Sequence, residues 1–228
     1  MSHLLLEGGA EFGGRMSEPD LRAIDLAGGF DAPIAILPTA AAPDNNHKRA
    51  GGNGVRWFQN LGAKNVFTVD VIDSISANDP TLAASLRTSK LIYLLGGFPR
   101  HLGETLANSL CWSAVMQAYA DGAVLAGSSA GAMVMCEYYF DPKKQRVERG
   151  LNLVPNACVL PHHNTFGKNW AGELRKMLPD VLLIGIDERT GMINAADGKW
   201  EVHGGGGVTL YRGESTVGYG RGEAFHLE

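Results

Sequence analysis

Short apolar runs bounded by turn-forming residues recur along most of the chain, and they alternate with longer segments whose apolar residues are spaced three and four apart. Buried strands of a parallel sheet read as continuous apolar runs, whereas the longer spacing is typical of helices with one buried face. The pattern predicts strands at residues 4–6, 34–37, 66–71, 91–95, 124–126, 158–160 and 182–186. It predicts crossover helices at residues 18–26, 55–61, 82–86, 100–106, 111–120, 130–136 and 170–178. We therefore expect an α/β fold in which helices flank a mostly parallel sheet.

The pattern changes after residue 186. Four short segments, at residues 192–194, 200–203, 208–211 and 216–219, are broken by the turn dipeptides Asp197-Gly198 and Arg212-Gly213. Such breaks predict antiparallel hairpins near the C-terminus. Two earlier segments, residues 39–54 and 140–155, are rich in Pro, Gly, Asn and charged residues, and we predict that both are functional or mobile loops.

The composition fits one hydrophobic core and excludes several function classes. The chain has 228 residues, of which 45% are hydrophobic, and no shift in composition marks a linker, so we expect a single domain over residues 1–228. The net charge is −4 and the Lys and Arg residues are scattered, which argues against binding to nucleic acid or to anionic membranes. A small peptide is the partner we expect, and the sequence leaves open whether the chain forms a homodimer.

Three further features indicate a cytoplasmic protein. The apolar stretch at residues 4–6 is too short for a signal peptide, and no stretch approaches the length of a membrane span. The three cysteines, Cys111, Cys136 and Cys158, are an odd number and lack the spacing of metal ligands, which suits a reducing compartment. We expect no cofactor.

The segment Gly127-Ser128-Ser129-Ala130-Gly131 fits the Gly-x-Ser-x-Gly pattern and lies between a predicted strand and a predicted helix. Small residues on both sides of Ser129 allow a sharp turn that exposes its Oγ at the edge of the sheet. The alternative is that Ser128 and Ser129 only cap the following helix. The strand before and the helix after favour Ser129 as a nucleophile, and Ser128 falls at the variable position.

The predicted strand ends supply partners for such a nucleophile. Gly96-Gly97 ends one strand, so the N–H groups of Gly97 and Ala130 could form an oxyanion hole, although an ordinary turn fits equally well. His162 and His163 follow another strand and are candidates for the base. Asp187 and Glu188 follow the next and are candidates for the acid that orients the base, with Glu137, Asp141 and Glu148 as competitors.

In these motifs the chain resembles peptidase family S51, which includes aspartyl dipeptidase (dipeptidase E) and cyanophycinase and has a class I glutamine amidotransferase-like fold. The resemblance runs nearly end to end and is carried by Leu37-Pro38-Thr39-Ala40, Leu94-Leu95-Gly96-Gly97, Gly127-Ser128-Ser129-Ala130-Gly131-Ala132, Leu160-Pro161-His162 and Gly185-Ile186-Asp187-Glu188-Arg189-Thr190. It implies that Ser129 is the nucleophile, His162 the base and Glu188 the acid, with Gly97 and Ala130 as oxyanion donors. Dipeptidase E is reported to use an acid between its Ser and His, which would favour Asp141. Phe98 departs from the Asp or Asn that relatives often carry.

The resemblance implies a serine peptidase for small peptides that needs no metal. An aspartyl dipeptidase would also need a cation for the substrate carboxylate, and Arg100, Lys48 and Arg49 are candidates, although for any one of them the sequence favours a solvated surface charge. Two alternatives remain at this point. One is a binding or regulatory protein that keeps the fold without turnover. The other is an esterase with a late histidine, His203 or His226, as its base.

Overall fold

The computed structural model describes residues 2–195 and 197–227 and contains strands in two sheets. The strands are β1 (His3–Glu7), β2 (Ile34–Leu37), β3 (Val66–Thr68), β4 (Leu91–Leu94), β5 (Val124–Ser128), β6 (Cys136–Asp141), β7 (Arg146–Arg149), β8 (Val154–Leu160), β9 (Leu182–Ile186), β10 (Thr190–Asn194), β11 (Trp200–Gly204), β12 (Val208–Arg212), β13 (Ser215–Tyr219) and β14 (Ala224–Phe225). The α-helices are α1 (Ser17–Leu26), α2 (His47–Asn60), α3 (Pro80–Arg87), α4 (Pro99–Leu106), α5 (Leu110–Ala120), α6 (Ala130–Met135) and α7 (Ala171–Met177).

The first sheet has eight strands in the order β14-β11-β10-β1-β5-β4-β2-β3. The five neighbouring strands β1, β5, β4, β2 and β3 run parallel to one another. Strands β10, β11 and β14 are antiparallel to their neighbours. Its central strands β2, β4 and β5 are buried along their whole length, which explains why they appear in the sequence as unbroken apolar runs. The predicted α/β class, with antiparallel hairpins near the C-terminus, is confirmed.

The second sheet has six strands in the order β13-β12-β9-β8-β6-β7, where β6, β8 and β9 run parallel. The sequence predicted one sheet, so this division is a correction. The chain crosses from the second sheet to the first within a few residues, because β9 pairs with β8 while β10 pairs antiparallel with β1. Hydrophobic periodicity reports which residues are buried but not which strands pair, and it therefore gave no sign of the second sheet.

The segment 39–54, predicted to be a loop, is mostly helical. A 3₁₀ helix spans Thr39–Asp44, and α2 begins at His47 rather than at residue 55. Glycines are poor helix formers, which hid this part of α2 in the sequence. Their absence of side chains allows close packing on the sheet: a Cβ on Gly51 would lie 2.6 Å from Cγ2 of Thr68, and one on Gly54 would lie 3.0 Å from Cγ2 of Ile36.

The segment 140–155 is also more ordered than predicted. Strand β6 continues to Asp141 and pairs antiparallel with β7, and β8 already begins at Val154. The Asp141 carboxylate accepts the backbone N–H of Lys143 at 2.9 Å and of Lys144 at 3.3 Å, which holds the connecting turn. Strand β7 lies at the sheet edge and is charged, so its sequence resembles that of a loop.

Among the described residues, no helix is both long and apolar enough to cross a membrane.

Two completely buried carboxyl groups, Glu7 on β1 and Asp20 on α1, lie next to each other in the core. Glu7 accepts a hydrogen bond from the Tyr93 hydroxyl, and Asp20 accepts one from the Trp57 ring N–H at 2.8 Å. Burial raises the pKa of both groups, that of Asp20 to about 7, and the nearby Asp20 charge raises the pKa of Glu7 further. At least one of the two therefore keeps its proton near neutral pH.

We expect Asp20→Asn to stabilise the protein increasingly as pH rises from 5 to 7.5. The folded state holds the Asp20 proton up to about pH 7, while the unfolded chain releases it near pH 3.9. Between these values the folded state keeps the proton that the unfolded chain has released, so the free energy of unfolding of the wild type falls by up to about 1.4 kcal/mol per pH unit. Asparagine retains an acceptor for Trp57 and does not ionise. Urea unfolding of wild type, Asp20→Asn and the exposed control Glu173→Gln checks this, and a pH-independent difference between wild type and Asp20→Asn would contradict it.

Candidate active site

Ser129 occupies a sharp turn between the end of β5 and the start of α6. Its backbone angles are φ +48° and ψ −109°, a conformation that non-glycine residues rarely adopt. Its N–H donates to the carbonyl of Glu7 at 3.0 Å, which ties the turn to β1. A Cβ on Gly131 would lie 2.2 Å from the Leu94 carbonyl oxygen, so only glycine fits there. The side chain of Ser128 is completely buried in β5, and its Oγ has no hydrogen-bond partner among the described residues.

His162 presents its ring to Ser129, with Nε2 at 3.1 Å from Oγ. The histidine also has positive φ, at +51°, and its N–H donates to the carbonyl of Gly8 at 2.7 Å. The ring stacks on Phe166 with 4.8 Å between centroids. A Cβ on Gly9 would lie 2.3 Å from Cε1 of the His162 ring, so Gly9 makes room for it. The ring is thus fixed from both faces and from its backbone.

Glu188 completes a relay of three side chains. Its Oε1 lies 2.8 Å from Nδ1 of His162, and its own N–H donates to Oδ1 of Asn164 at 2.9 Å. The hydroxyl of Thr165 donates to the His162 carbonyl at 3.0 Å, which closes the turn around the histidine. An acid–imidazole–hydroxyl relay of this kind allows the hydroxyl to lose its proton as it attacks a carbonyl carbon.

The neighbouring residues His163 and Asp187 form a separate pair. Nδ1 of His163 lies 3.3 Å from Oδ1 of Asp187, and its Nε2 lies 2.7 Å from the Tyr211 hydroxyl. Burial acts to raise the pKa of Asp187, but hydrogen bonds from His163 and from the N–H of Gly207 outweigh it and lower the pKa. The structure therefore brings His162 and Glu188 to Ser129 and holds His163 and Asp187 elsewhere.

The other candidate acids lie away from His162. Asp141 caps the β6–β7 turn through its hydrogen bonds to Lys143 and Lys144. Glu137 accepts the N–H of Asn156 at 2.8 Å and pairs with Arg149. Glu148 pairs with Arg146. None of these three carboxylates forms a hydrogen bond with His162 in the part of the chain that the structure describes.

Two backbone N–H groups near Ser129 are free to bind an oxyanion. Gly97 has φ +140°, and a Cβ there would lie 2.3 Å from the Ala40 carbonyl oxygen, so this turn requires glycine. Ala130 is the first residue of α6 and follows Ser129 directly. Neither N–H donates a hydrogen bond to another described residue. Both predicted donors thus remain available.

Glu11, which the sequence analysis did not single out, lies close to Ser129. Its Oε1 accepts the Gly96 N–H at 2.7 Å. A Cβ on Gly96 would lie 2.5 Å from this oxygen and 3.1 Å from Cβ of Ser129. Burial raises the pKa of Glu11, although the Gly96 N–H opposes the shift. Gly8-Gly9 follows β1 just as Gly96-Gly97 follows β4, so the rule about strand ends places this segment at the same edge of the sheet, but it does not predict the contact of Glu11 with Gly96.

Two cavities meet at Gly97 and Phe98, and each has a volume of about 450 Å³. The cavity that we call the Glu11 cavity is lined by Glu11, Phe12, Ala40, Asp44, Asn46 and Arg49, among others. The cavity that we call the Lys143 cavity is lined by Pro99, Arg100, Glu104, Asp141, Lys143 and Lys144, among others. The side chains named for the Glu11 cavity include two carboxylates and one cation, whereas those named for the Lys143 cavity include three cations and two carboxylates.

The candidate substrate cations divide between these cavities. Arg49 lines the Glu11 cavity, where its Nε donates to Oδ1 of Asn46 at 2.8 Å. Arg100 lines the Lys143 cavity and pairs with Glu104 at 2.7 Å. Lys48 is exposed on α2 and lines neither cavity. Lys143, which the sequence did not single out, has its Nζ 4.0 Å from the centre of the Phe98 ring.

Within residues 2–195 and 197–227, no group of three or more His, Cys, Asp or Glu side chains could hold a metal ion.

Comparison with known proteins gives concordant matches. The model of peptidase family S51 matches residues 4–201. A cyanophycinase from Geminocystis herdmanii is 32% identical over 94% of this chain and 82% of its own length. One from Trichormus variabilis is 32% identical over 81% of this chain but only 64% of its own length, so the chain spans less than two thirds of that relative. The crystal structure of a peptidase from an acI-B1 Actinobacterium matches with a TM-score of 0.88 and 27% identity over 100% of this chain and 97% of that one.

Proposed function

The chain belongs to peptidase family S51 and is a serine-type hydrolase, and we propose that it cleaves small peptides through an acyl-enzyme formed on Ser129. The observation that supports this proposal is the continuous relay from Oγ of Ser129 to His162 at 3.1 Å and from His162 to Glu188 at 2.8 Å. Both distances fall in or near the range needed for proton transfer.

In the proposed reaction, Nε2 of His162 takes the proton of Ser129 as Oγ attacks the scissile carbonyl carbon. Glu188 stabilises the imidazolium that forms and keeps its ring in place. The negative charge on the carbonyl oxygen is bound by the N–H groups of Gly97 and Ala130. His162 then gives its proton to the leaving amine, and the C–N bond breaks. A water molecule, deprotonated by His162, hydrolyses the resulting ester and regenerates Ser129.

We further propose a substrate class like that of aspartyl dipeptidase or cyanophycinase, and a cytoplasmic location. The similarity to cyanophycinases supports the former, as do the cationic side chains of Arg100, Lys143 and Lys144 that line the Lys143 cavity beside Gly97. The latter is supported by the free state of Cys111, Cys136 and Cys158, all of them buried, which suits a reducing compartment. The proposed reaction uses no nucleic acid, membrane or cofactor.

A dipeptide library tests the activity. We expect purified protein to hydrolyse a subset of dipeptides and to be labelled by a fluorophosphonate at Ser129. Hydrolysis of p-nitrophenyl esters but of no dipeptide would indicate an esterase instead. Absence of both hydrolysis and labelling would indicate a binding protein that keeps the fold without turnover.

Lys143→Ala should weaken the preference for acidic substrates. Its Nζ packs on Phe98 next to Gly97, and it forms no ion pair with any described carboxylate, unlike Arg100, which is paired with Glu104. We expect the ratio of kcat/KM for Asp-X to that for Ala-X to fall roughly three- to tenfold, the range of exposed to partly desolvated ion pairs. Lys48→Ala, Arg49→Ala and Arg100→Ala should be measured alongside, with Lys64→Ala as a remote control. A ratio unchanged in Lys143→Ala would contradict this assignment.

A further inference from the structure

An aromatic side chain, Phe166, stacks on the ring of the proposed base. The centroids of the Phe166 and His162 rings are 4.8 Å apart, and the ring planes differ by 22°. Phe166 is at the same time 48% exposed. Much of its surface therefore stays in water, and its contact with His162 is the feature of this side chain that needs an explanation.

The backbone after His162 folds back and carries Phe166 over the imidazole ring. The N–H groups of Thr165 and Gly167 both donate to the His162 carbonyl, at 3.0 Å and 2.9 Å. Only glycine fits at position 167, because a Cβ there would lie 1.9 Å from the carbonyl oxygen of Pro161. The turn that gives His162 its φ of +51° therefore also places the Phe166 ring against it.

Two further rings hold Phe166 in this position. The Trp170 ring meets that of Phe166 edge to face, with 5.6 Å between centroids and 62° between planes. Trp170 in turn lies 5.3 Å from the ring of Phe140, which is buried on β6. Edge-to-face pairs at these distances are favourable. A continuous row of aromatic rings thus connects His162 to the hydrophobic core and fixes a side chain that would otherwise be mobile at the surface.

The stack favours one charge state of the imidazole. The face of a phenyl ring is electron-rich and attracts a cation that lies within about 6 Å of the ring centroid. In the proposed reaction His162 is neutral before the attack and becomes a cation as it takes the Ser129 proton. The contact with Phe166 is therefore stronger in the transition state than in the resting enzyme. An interaction of this kind raises kcat rather than the affinity for substrate.

We propose that Phe166 is a positioning residue whose ring face stabilises the His162 imidazolium, so that efficient turnover needs an aromatic side chain at position 166. The inference rests on the proposed peptidase activity. Because Phe166 acts through His162, its effect does not depend on which peptide is bound. It should extend to every reaction in which Ser129 loses its proton to His162, including labelling by a small fluorophosphonate.

The test compares variants that keep or remove the aromatic face. Phe166→Leu keeps an apolar side chain and removes the face, whereas Phe166→Tyr and Phe166→Trp keep it. We expect Phe166→Leu to lower both kcat for the best dipeptide and the rate constant of fluorophosphonate labelling roughly three- to 30-fold, with KM unchanged within about twofold. The Tyr and Trp variants should stay within about threefold of the wild type in both measurements.

Phe30→Leu is the matched control for loss of a partly exposed phenyl ring. Phe30 lies between α1 and β2 and is 46% exposed, close to the value for Phe166. This variant should hydrolyse dipeptides and react with the fluorophosphonate as the wild type does. Thermal unfolding of all variants checks that Phe166→Leu keeps the fold.

Each other outcome overturns the inference in a recognisable way. If Phe166→Leu matches the wild type in both measurements, the ring contributes nothing to the reaction. If the Leu, Tyr and Trp variants lose activity equally, the shape of phenylalanine matters and its aromatic face does not. If Phe166→Leu changes only KM and is labelled normally, Phe166 contacts the substrate instead. If the wild type neither cleaves dipeptides nor is labelled, the proposed function fails and this inference fails with it.

Discussion

Ser129→Ala is expected to lower kcat/KM for peptide hydrolysis by a factor on the order of 10⁴ to 10⁶ and to leave the fold intact. The hydroxyl is the group that would form the covalent bond, and its Oγ lies 3.1 Å from Nε2 of His162, the proposed base. No other described hydroxyl hydrogen-bonds to Nε2 of His162, so no neighbour is placed to substitute for it. Activity that remains would come from the oxyanion donors and from substrate binding alone. The measurement is steady-state hydrolysis of the best dipeptide, with circular dichroism and thermal unfolding as checks on the fold.

Ser128→Ala is the matched control, because Ser128 is the last residue of β5 and directly precedes Ser129. The Ser128 hydroxyl is completely buried and lacks a hydrogen-bond partner among the described residues. Removing it eliminates an unsatisfied polar group, so the variant should be as stable as the wild type or more so. Its activity should stay within about tenfold of the wild type. Equal losses in the two variants, or a large loss in Ser128→Ala alone, would show that Ser129 is not the nucleophile.

Glu188→Gln is expected to lower kcat by a factor on the order of 10³ to 10⁴. The Glu188 carboxylate accepts a hydrogen bond from Nδ1–H of His162 across 2.8 Å, which leaves Nε2 unprotonated and free to act as a base. A glutamine amide can donate to Nδ1 instead, which would favour the tautomer with its proton on Nε2, and that tautomer cannot deprotonate Ser129. The amide also lacks the negative charge that stabilises the imidazolium. The loss should appear mainly in kcat, because the group does not touch substrate.

Asp187→Asn is the variant to compare with Glu188→Gln, because Asp187 directly precedes Glu188 in the chain. Asp187 contacts His163 and Gly207 rather than His162, so this variant should lose less than about tenfold in kcat. Its effect should be on stability, since it weakens two hydrogen bonds that lower the pKa of Asp187. A large loss in Asp187→Asn together with a small loss in Glu188→Gln would reverse the assignment of the acid.

Local signals in the sequence predicted the parts of the site that lie at strand ends. Ser129, His162 and Glu188 each follow a buried apolar run, and the small residues around Ser129 indicate a turn. The choice between His162 and His163 was open from the residues, because two adjacent residues differ only in where the backbone points them. His162 has φ +51°, a value that no pattern of hydrophobic and polar residues encodes.

Contacts between segments distant in the chain were beyond the reach of the sequence. Glu11 belongs to the site only because Gly96, 85 residues away, donates its N–H to the carboxylate. Lys143 belongs to it because the β6–β7 turn folds over Phe98. The division into two sheets has the same origin, since strand pairing depends on the path of the whole chain. The helical course of residues 47–54 was hidden by glycines that local propensity counts as breakers and that packing against β2 and β3 requires.

The unusual backbone of Ser129 bears on the choice between an enzyme and a protein that merely keeps the fold. A side chain held at φ +48° and ψ −109° costs about 1 to 3 kcal/mol relative to a relaxed conformation, and glycine would avoid most of that cost. A chain selected only to fold, or to bind without turnover, would gain stability by losing the serine at this position. Stability alone would therefore favour glycine at position 129, and a serine there is what one expects where turnover is the property that the chain needs.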